Sequence, residues 1–206
     1  MTTTPWASFQ RLTMPQLPDC PWATIKEALI DSSVDFFERS KAWRTEPAVE
    51  FDTVIGQSDY APTLPGKISR VTSIHKVGGH YLQKIRRGYI EPWQYNTNGS
   101  PREYLEKNDT TITIFPAPDS VITMAIDCSM VPDRNTATGI EDYLYQAYAE
   151  YIASGAIYRL ASTPLKKPWT NIDLAAYHQQ RFERGIDLAL YRDMKGVVPR
   201  ARPRMF

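Results

Sequence analysis

The chain is poor in cysteine and histidine, and neither sign of charge dominates. Two cysteines, Cys20 and Cys128, occur in 206 residues, far apart and in no metal-ligand spacing. That excludes a disulfide scaffold and points to a reducing compartment with two ordinary buried thiols. The formal net charge of +1 excludes a chain that binds nucleic acid through overall basicity, so any charge-driven partner must meet a local patch. No stretch approaches the ~20 apolar residues of a membrane helix. The opening Met-Thr-Thr-Thr-Pro-Trp lacks the apolar core of a secretion signal. The expectation is a soluble protein made in the cytoplasm, with no membrane partner.

The motifs of common catalysts are also missing. There is no Gly-x-x-x-x-Gly-Lys-Ser/Thr phosphate loop, no His-Glu-x-x-His, no Cys-x-x-Cys and no Gly-x-Ser-x-Gly elbow. The three histidines are His75, His80 and His178. His75 and His80 flank a predicted hairpin and could face each other, yet two imidazoles leave a metal short of ligands. Glu141-Asp142 is the one adjacent acidic pair considered for catalysis. It sits at a predicted helix start, where acids favourably meet the helix dipole. The reading is therefore a protein that is not an enzyme, with no catalytic residues, no cofactor and no metal.

What the chain does have is apolar and aromatic surface. Hydrophobic residues make up 42 %, enough for a sizeable core, and there are 12 Tyr and 5 Trp. Tyrosine and tryptophan serve interfaces as well as cores. Residues 1–20 form an arm punctuated by Pro5, Pro15 and Pro18, with Trp6, Phe9 and Leu12 as anchors. It packs either on its own fold or on a neighbouring subunit. A helix follows over 21–44, capped by Asp19 or Cys20, with Pro21 at its first position and Ile25, Ala28, Leu29, Ser32 and Phe36 on one face.

Residues 45–131 read as a β-region. Extended runs are predicted at Ala48–Ile55, Tyr60–Leu64, Lys67–Lys76 and Tyr81–Ile85, the last reached by a hairpin at Gly78-Gly79. Glu103–Glu106 and Thr110–Phe115 form a second hairpin, and Pro116–Asp119 a turn. In Ser120–Met130, Ile122, Met124, Ile126, Cys128 and Met130 form the core face, with Val121, Thr123, Ala125, Asp127 and Ser129 opposite. Residues 138–194 read as a helical hairpin. Its first helix carries Ile140, Leu144, Ala147, Tyr148, Tyr151 and Ile152, followed by small residues Ala153, Gly155 and Ala156 that permit close approach. Its second is capped by Thr170 or Asn171. Leu174, Tyr177, His178, Phe182, Ile186, Ala189 and Leu190 are its inward candidates. Strands grouped apart from helices give an α+β fold, with a central antiparallel sheet or sandwich and two long C-terminal helices. Residues 1–194 are taken as a single domain.

Two basic clusters stand out. Lys84, Arg86 and Arg87 precede Tyr89 and Trp93, a patch able to touch DNA or a protein partner. The last residues, 195–206, form an extended tail broken by Pro199 and Pro203. There Lys195, Arg200, Arg202 and Arg204 have no balancing acid, and the chain ends on Met205-Phe206. Its cations suit DNA phosphates or an acidic protein surface, and Phe206 favours a protein groove.

Several segments, in order over roughly residues 5–195, resemble the head-to-tail adaptors (connector or neck proteins) of tailed bacteriophages. They are Met14–Pro21 running into the helix to Trp43 with Phe36–Ser40, then Val54–Tyr60, Thr113–Pro118, Tyr148–Ala156, Lys167–Trp169 and Tyr177–Phe182. The resemblance implies a homo-oligomeric ring, usually of twelve copies, in the virion neck between capsid and tail. The ring would be assembled in the host cytoplasm, with the portal protein and a tail or nozzle protein as partners. Genomic DNA would pass through its lumen without sequence recognition. It also implies a C-terminal segment that reaches the portal; the roles of Arg200, Arg202, Arg204 and Phe206 in that docking are inferred from their chemistry. The alternative reading is a tail or baseplate component that binds host-surface glycan through Trp93 and Tyr95.

Overall fold

A computed structural model describes residues 2–45, 47–86, 97–164 and 167–196, with side chains to residue 192. In chain order the elements are β1 (Thr3–Pro5), a 3-10 turn Trp6–Phe9, α1 (Gln10–Thr13), a second 3-10 turn Met14–Gln16 and α2 (Trp22–Ser40). Then come β2 (Val49–Asp52), β3 (Asp59–Tyr60), β4 (Lys67–Lys76), β5 (Gln83–Lys84), β6 (Asn98–Gly99), β7 (Glu103–Glu106), β8 (Ile112–Phe115), β9 (Ala117–Pro118) and β10 (Thr123–Val131). The chain closes with β11 (Gly139–Glu141), α3 (Asp142–Ala161) and α4 (Ile172–Gly196). The α+β class and the two long C-terminal helices are as expected. The chain forms two compact units, a helical unit of residues 1–42 and 134–206 and a β unit of residues 43–133.

In the helical unit, α2 buries Ile25, Leu29, Ser32 and Phe36, the face its spacing predicts. Its start differs from expectation. Pro21 is itself the cap, with extended backbone, and no side chain caps the helix. The reason lies at Asp19, whose φ of 60° turns the chain before the helix begins. The helix stops at Ser40, short of the expected 41–44, because Lys41 enters the left-handed region at φ 55° and its N–H donates to Phe37 O at 3.0 Å. The three long helices meet closely where the small residues were noted. The Ser32 hydroxyl donates to Ile152 O at 2.8 Å, and a Cβ at Gly155 would overlap both Ser32 and the Phe182 ring. Phe36 stacks at 5.2 Å on Tyr148 and at 6.1 Å on Phe182.

Ile140 is buried, but as a strand residue: α3 starts at Asp142, and β11 pairs antiparallel with β1, Thr4 opposite Ile140. This pairing joins segments more than a hundred residues apart, which local periodicity cannot register. Trp6 and Phe9 are buried within this same unit, and Leu12 is half-buried. The Asn171 side chain caps α4 by accepting the Leu174 N–H at 3.0 Å. His178, Phe182, Ile186 and Ala189 face inward as expected, and Ala175 joins them. Tyr177 does not, being 60 % exposed. A stripe through 175, 178, 182, 186 and 189 leaves position 177 outside its arc. Lys195, expected in the extended tail, is still helical.

In the β unit, β10 lies between β2 and β4, antiparallel to both. β4 covers the predicted residues. The predicted core residues Met124, Ile126, Cys128 and Met130 of β10 are buried, as is Ile122 just before it, yet Ala125 and Ser129 on the other face are buried too. Register irregularities at Asp127/Cys128 and Ser129/Met130 break the strict alternation. A second sheet has the order β3-β8-β7-β5. The β7–β8 hairpin is as predicted, its turn held by Asn108 Oδ1, which accepts the N–H groups of Thr110 at 2.9 Å and Thr111 at 2.7 Å.

The hairpin at Gly78-Gly79 is only partly realised. His75 and Tyr81 form one bridge, and then the chain leaves β4 to run parallel with β7 as β5. Hence His75 packs its ring against Tyr81 at 5.0 Å and does not face His80. Pro116–Asp119 is not a simple turn, since Ala117–Pro118 pairs with Asn98–Gly99.

Candidate assembly surfaces

An assembly protein works through what it leaves uncovered. In the helical unit the uncovered apolar surface concentrates on α4. Tyr177 and Tyr191 are 60 % and 55 % exposed, and with Leu188 and Tyr151 of α3 they line a groove of about 700 Å³. Tyr177, Arg181, Arg184, Leu188 and Tyr191 recur at alternating spacings of four and three. That spacing forms a seam along the helix, the pattern by which one helix receives another. Arg181 is ion-paired with Glu150 of α3, and Asp187 also lines the groove. The seam therefore offers aromatic area, cations and acid together.

Charged pairs tie the helices beside this groove. Arg39 of α2 pairs with Glu183 of α4 and holds its carboxyl below the usual range. Arg159 of α3 reaches Asp35 of α2 at 3.0 Å. On the inner side, His178 is buried, and burial first, then the Arg181 charge, pulls its pKa down from 6.5. Its Nδ1 has no hydrogen-bond partner.

The β unit has a second uncovered apolar cluster. β2 ends at Asp52 opposite Thr123, where β10 begins, and β4 ends at Lys76 opposite Met124. Backbone bonds from Thr53 to Ile122 O at 2.9 Å and from Val77 to Thr123 O at 3.0 Å continue both ladders. Val54, Ile55, Val77 and Val121 thus gather at one end of the sheet, 44–66 % exposed.

Of the sequence candidates, Lys84 lies in β5 and its ammonium meets Glu106 of β7 at 2.7 Å, the arrangement of a strand-end ion pair. Arg86 is exposed. Arg87, Tyr89, Trp93 and Tyr95 lie outside the described residues, as do Arg200, Arg202, Arg204 and Phe206. Of the basic patch, Lys84 and Arg86 are the members among the described residues. Cys20 and Cys128 are free and buried, and burial pushes the Cys128 thiol up to about 11. Asp142 accepts from Thr4 at 2.8 Å and from Gln146 at 2.8 Å, which gives this acid a structural task at the start of α3.

Among the described residues, no cluster of three or more His, Cys, Asp or Glu is placed to hold a metal, and no helix is long and apolar enough to cross a membrane. Sequence reasoning missed the α4 seam and the sheet-end cluster. The seam's spacing was legible, but a stripe of tyrosine and arginine reads as solvated surface until the opposite stripe is seen to be buried.

The sequence model of one protein family, described as SU10 adaptor protein, matches residues 6–204. No curated protein sequence matches the chain.

Proposed function

Because the chain belongs to the SU10 adaptor protein family, of phage head-to-tail adaptor type, and is thus a structural component of the virion neck, we propose that its copies close into a ring joining portal to tail. The observation that carries this reading is the second seam on α4. Its inner stripe is consumed by the core, while Tyr177 and Tyr191 on the outer stripe stay more than half exposed, with Leu188 half-buried between them. A heterologous contact of that kind closes by rotation into a ring, and the ring proposed here has twelve copies. The sheet-end cluster of the β unit supplies a separate apolar surface for the tail or nozzle protein. Genomic DNA passes through the lumen, and exposed cations such as Arg86 meet its phosphates without reading sequence.

In the same reading, residues 197–206 dock on the portal, with Arg200, Arg202 and Arg204 on acidic surface and Phe206 in an apolar pocket. Assembly then depends on the portal being present. Mass photometry of the chain, alone and mixed with portal rings, tests the proposal. A closed ring, or a monomer that becomes one only on the portal, supports it. A monomer that ignores the portal overturns it. Deleting residues 197–206 is expected to leave a folded chain that no longer docks, and normal docking by that deletion would overturn the role of the tail.

A further inference from the structure

The N-terminal arm packs on β11 and on the helices of its own unit. Its hydrogen bonds fall on one short stretch of the chain. The Asp142 N–H donates to Thr2 O at 3.0 Å, the Trp6 N–H to Thr138 O at 3.3 Å and the Trp6 indole to Ala137 O at 2.9 Å. The Tyr145 hydroxyl donates to Ser8 O at 2.9 Å, while its ring meets Phe9 edge-on at 5.0 Å. Residues 137–145 thus hold the first half of the arm, closely enough that a Cβ on Gly139 would overlap the Thr4 backbone, and the turn Trp6–Phe9 and α1 pack in addition on α2 and α3. Most of these bonds use main-chain atoms, so the receptor reads the arm's path more than its side chains. The arm's second half packs on α3 and buries Thr13 and Leu17. A cavity of about 230 Å³ remains there, lined by Arg11, Pro15 and Gln16 together with Ser154 and His178.

The connection from arm to helix is short and stiff. It runs Leu17-Pro18-Asp19-Cys20-Pro21 and turns through Asp19 at φ 60°, a left-handed conformation that costs a residue with a Cβ. Prolines on both sides restrict any relaxation. Short hinges under strain favour exchange of the segment they carry, because opening the hinge relieves the turn while every contact is remade on another copy. Extended, these five residues span roughly 17 Å.

We infer that residues 2–17 form an exchangeable arm which, in the assembled oligomer, occupies the 137–145 receptor of a neighbouring copy. This rests on the ring reading above and gives the ring an interlock, each copy giving an arm to the next and receiving one from the last.

Thr3 and Glu141 stand directly opposite each other in the β1–β11 ladder, a position suited to a disulfide. In chains carrying Cys20→Ser and Cys128→Ala, one population bears Thr3→Cys and a distinctly tagged one bears Glu141→Cys. They are mixed, assembled with portal rings and oxidised. Neither chain can close on itself, so a disulfide-linked heterodimer as the main product is the expected result. Asp19→Gly, which removes the strain, lowers that product by roughly fivefold. A chain with both cysteines is the geometric control, and Thr2→Cys with Asp142→Cys repeats the test one residue along. Rings in which the control closes within single chains and no heterodimer forms overturn the exchange and leave the ring intact. Absence of any oligomer, with or without portal, overturns the ring reading and the exchange with it.

Discussion

The two faces of α4 carry similar numbers of bulky residues and do opposite work. One face places His178, Phe182 and Ile186 against α2 and α3, where Gly155 lets the Phe182 ring approach. The other places Tyr177, Leu188 and Tyr191 along a groove with Arg181 and Arg184. The difference lies in composition. The inner stripe is aliphatic and aromatic with small spacers, and burial lowers the pKa of its one ionisable group, His178. The outer stripe is amphipathic, able to stand in water and to be covered later. A helix with two seams is folded by the first and assembled by the second.

Breaking the inner seam should have the largest effect. Phe182→Ala is expected to cost the helical unit about 3–5 kcal/mol, since it removes a buried ring that packs on Phe36 and Gly155. Chemical denaturation followed by circular dichroism measures this, and an unchanged midpoint would contradict the assigned packing. The outer seam should separate from stability altogether. Tyr177→Ser and Tyr191→Ser together are expected to move stability by no more than ~0.5 kcal/mol per site. They should weaken self-association by at least ~30-fold if these side chains are interface anchors. Sedimentation velocity over a concentration series gives that number, and an unaltered oligomer would remove α4 from the interface.

A third, smaller effect sharpens the contrast in pH. His178 has a lowered pKa in the fold, so the unfolded chain binds more protons as pH falls below 6.5. The stability that comes from keeping it neutral is present above 6.5 and is lost as pH falls from there toward the folded pKa. His178→Phe should flatten the stability profile of the helical unit between pH 7 and pH 5. A profile with the same slope as the parent would show that another group titrates. The smallest effect is expected at the helix surface. Glu183→Gln breaks the ion pair with Arg39, whose members are 42 % and 46 % exposed, and should cost about 0–1 kcal/mol, less in high salt.

Much of this fold was legible because its periodicities are clean. Lys67–Lys76 and the alternating core residues of β10 follow the period of two, and the buried stripes of α2 and α4 follow the period of a helix. The errors share a physical origin. Ile140 fits a helical stripe, and only the return of Thr3–Pro5 from the other end of the sequence makes it a strand. Asp19 and Cys20 look like caps, but the left-handed turn at Asp19 aims the chain so that Pro21 takes that place. Tyr177 satisfies an apolar stripe by type and misses it by angle. The assembly surfaces were harder still. Exposure distinguishes Tyr177 from Tyr148, and no local pattern encodes exposure until the packing of three helices is known. The basic patch around Lys84 was legible as charge, yet Glu106, its partner, comes from a different strand.

The β unit interrupts the helical unit in the sequence, and this has a consequence for synthesis. Residues 1–42 leave the ribosome long before residues 134 onward, the segment that completes their core. At about 5–20 residues per second the apolar face of α2, with Ile25, Leu29 and Phe36, waits several seconds without its partners. The β unit is complete in sequence before α3 begins and can close first, bringing the two halves of the helical unit within reach of each other. Translation speed across residues 43–133, and chaperones that shelter one amphipathic helix, therefore bear on the yield of folded adaptor.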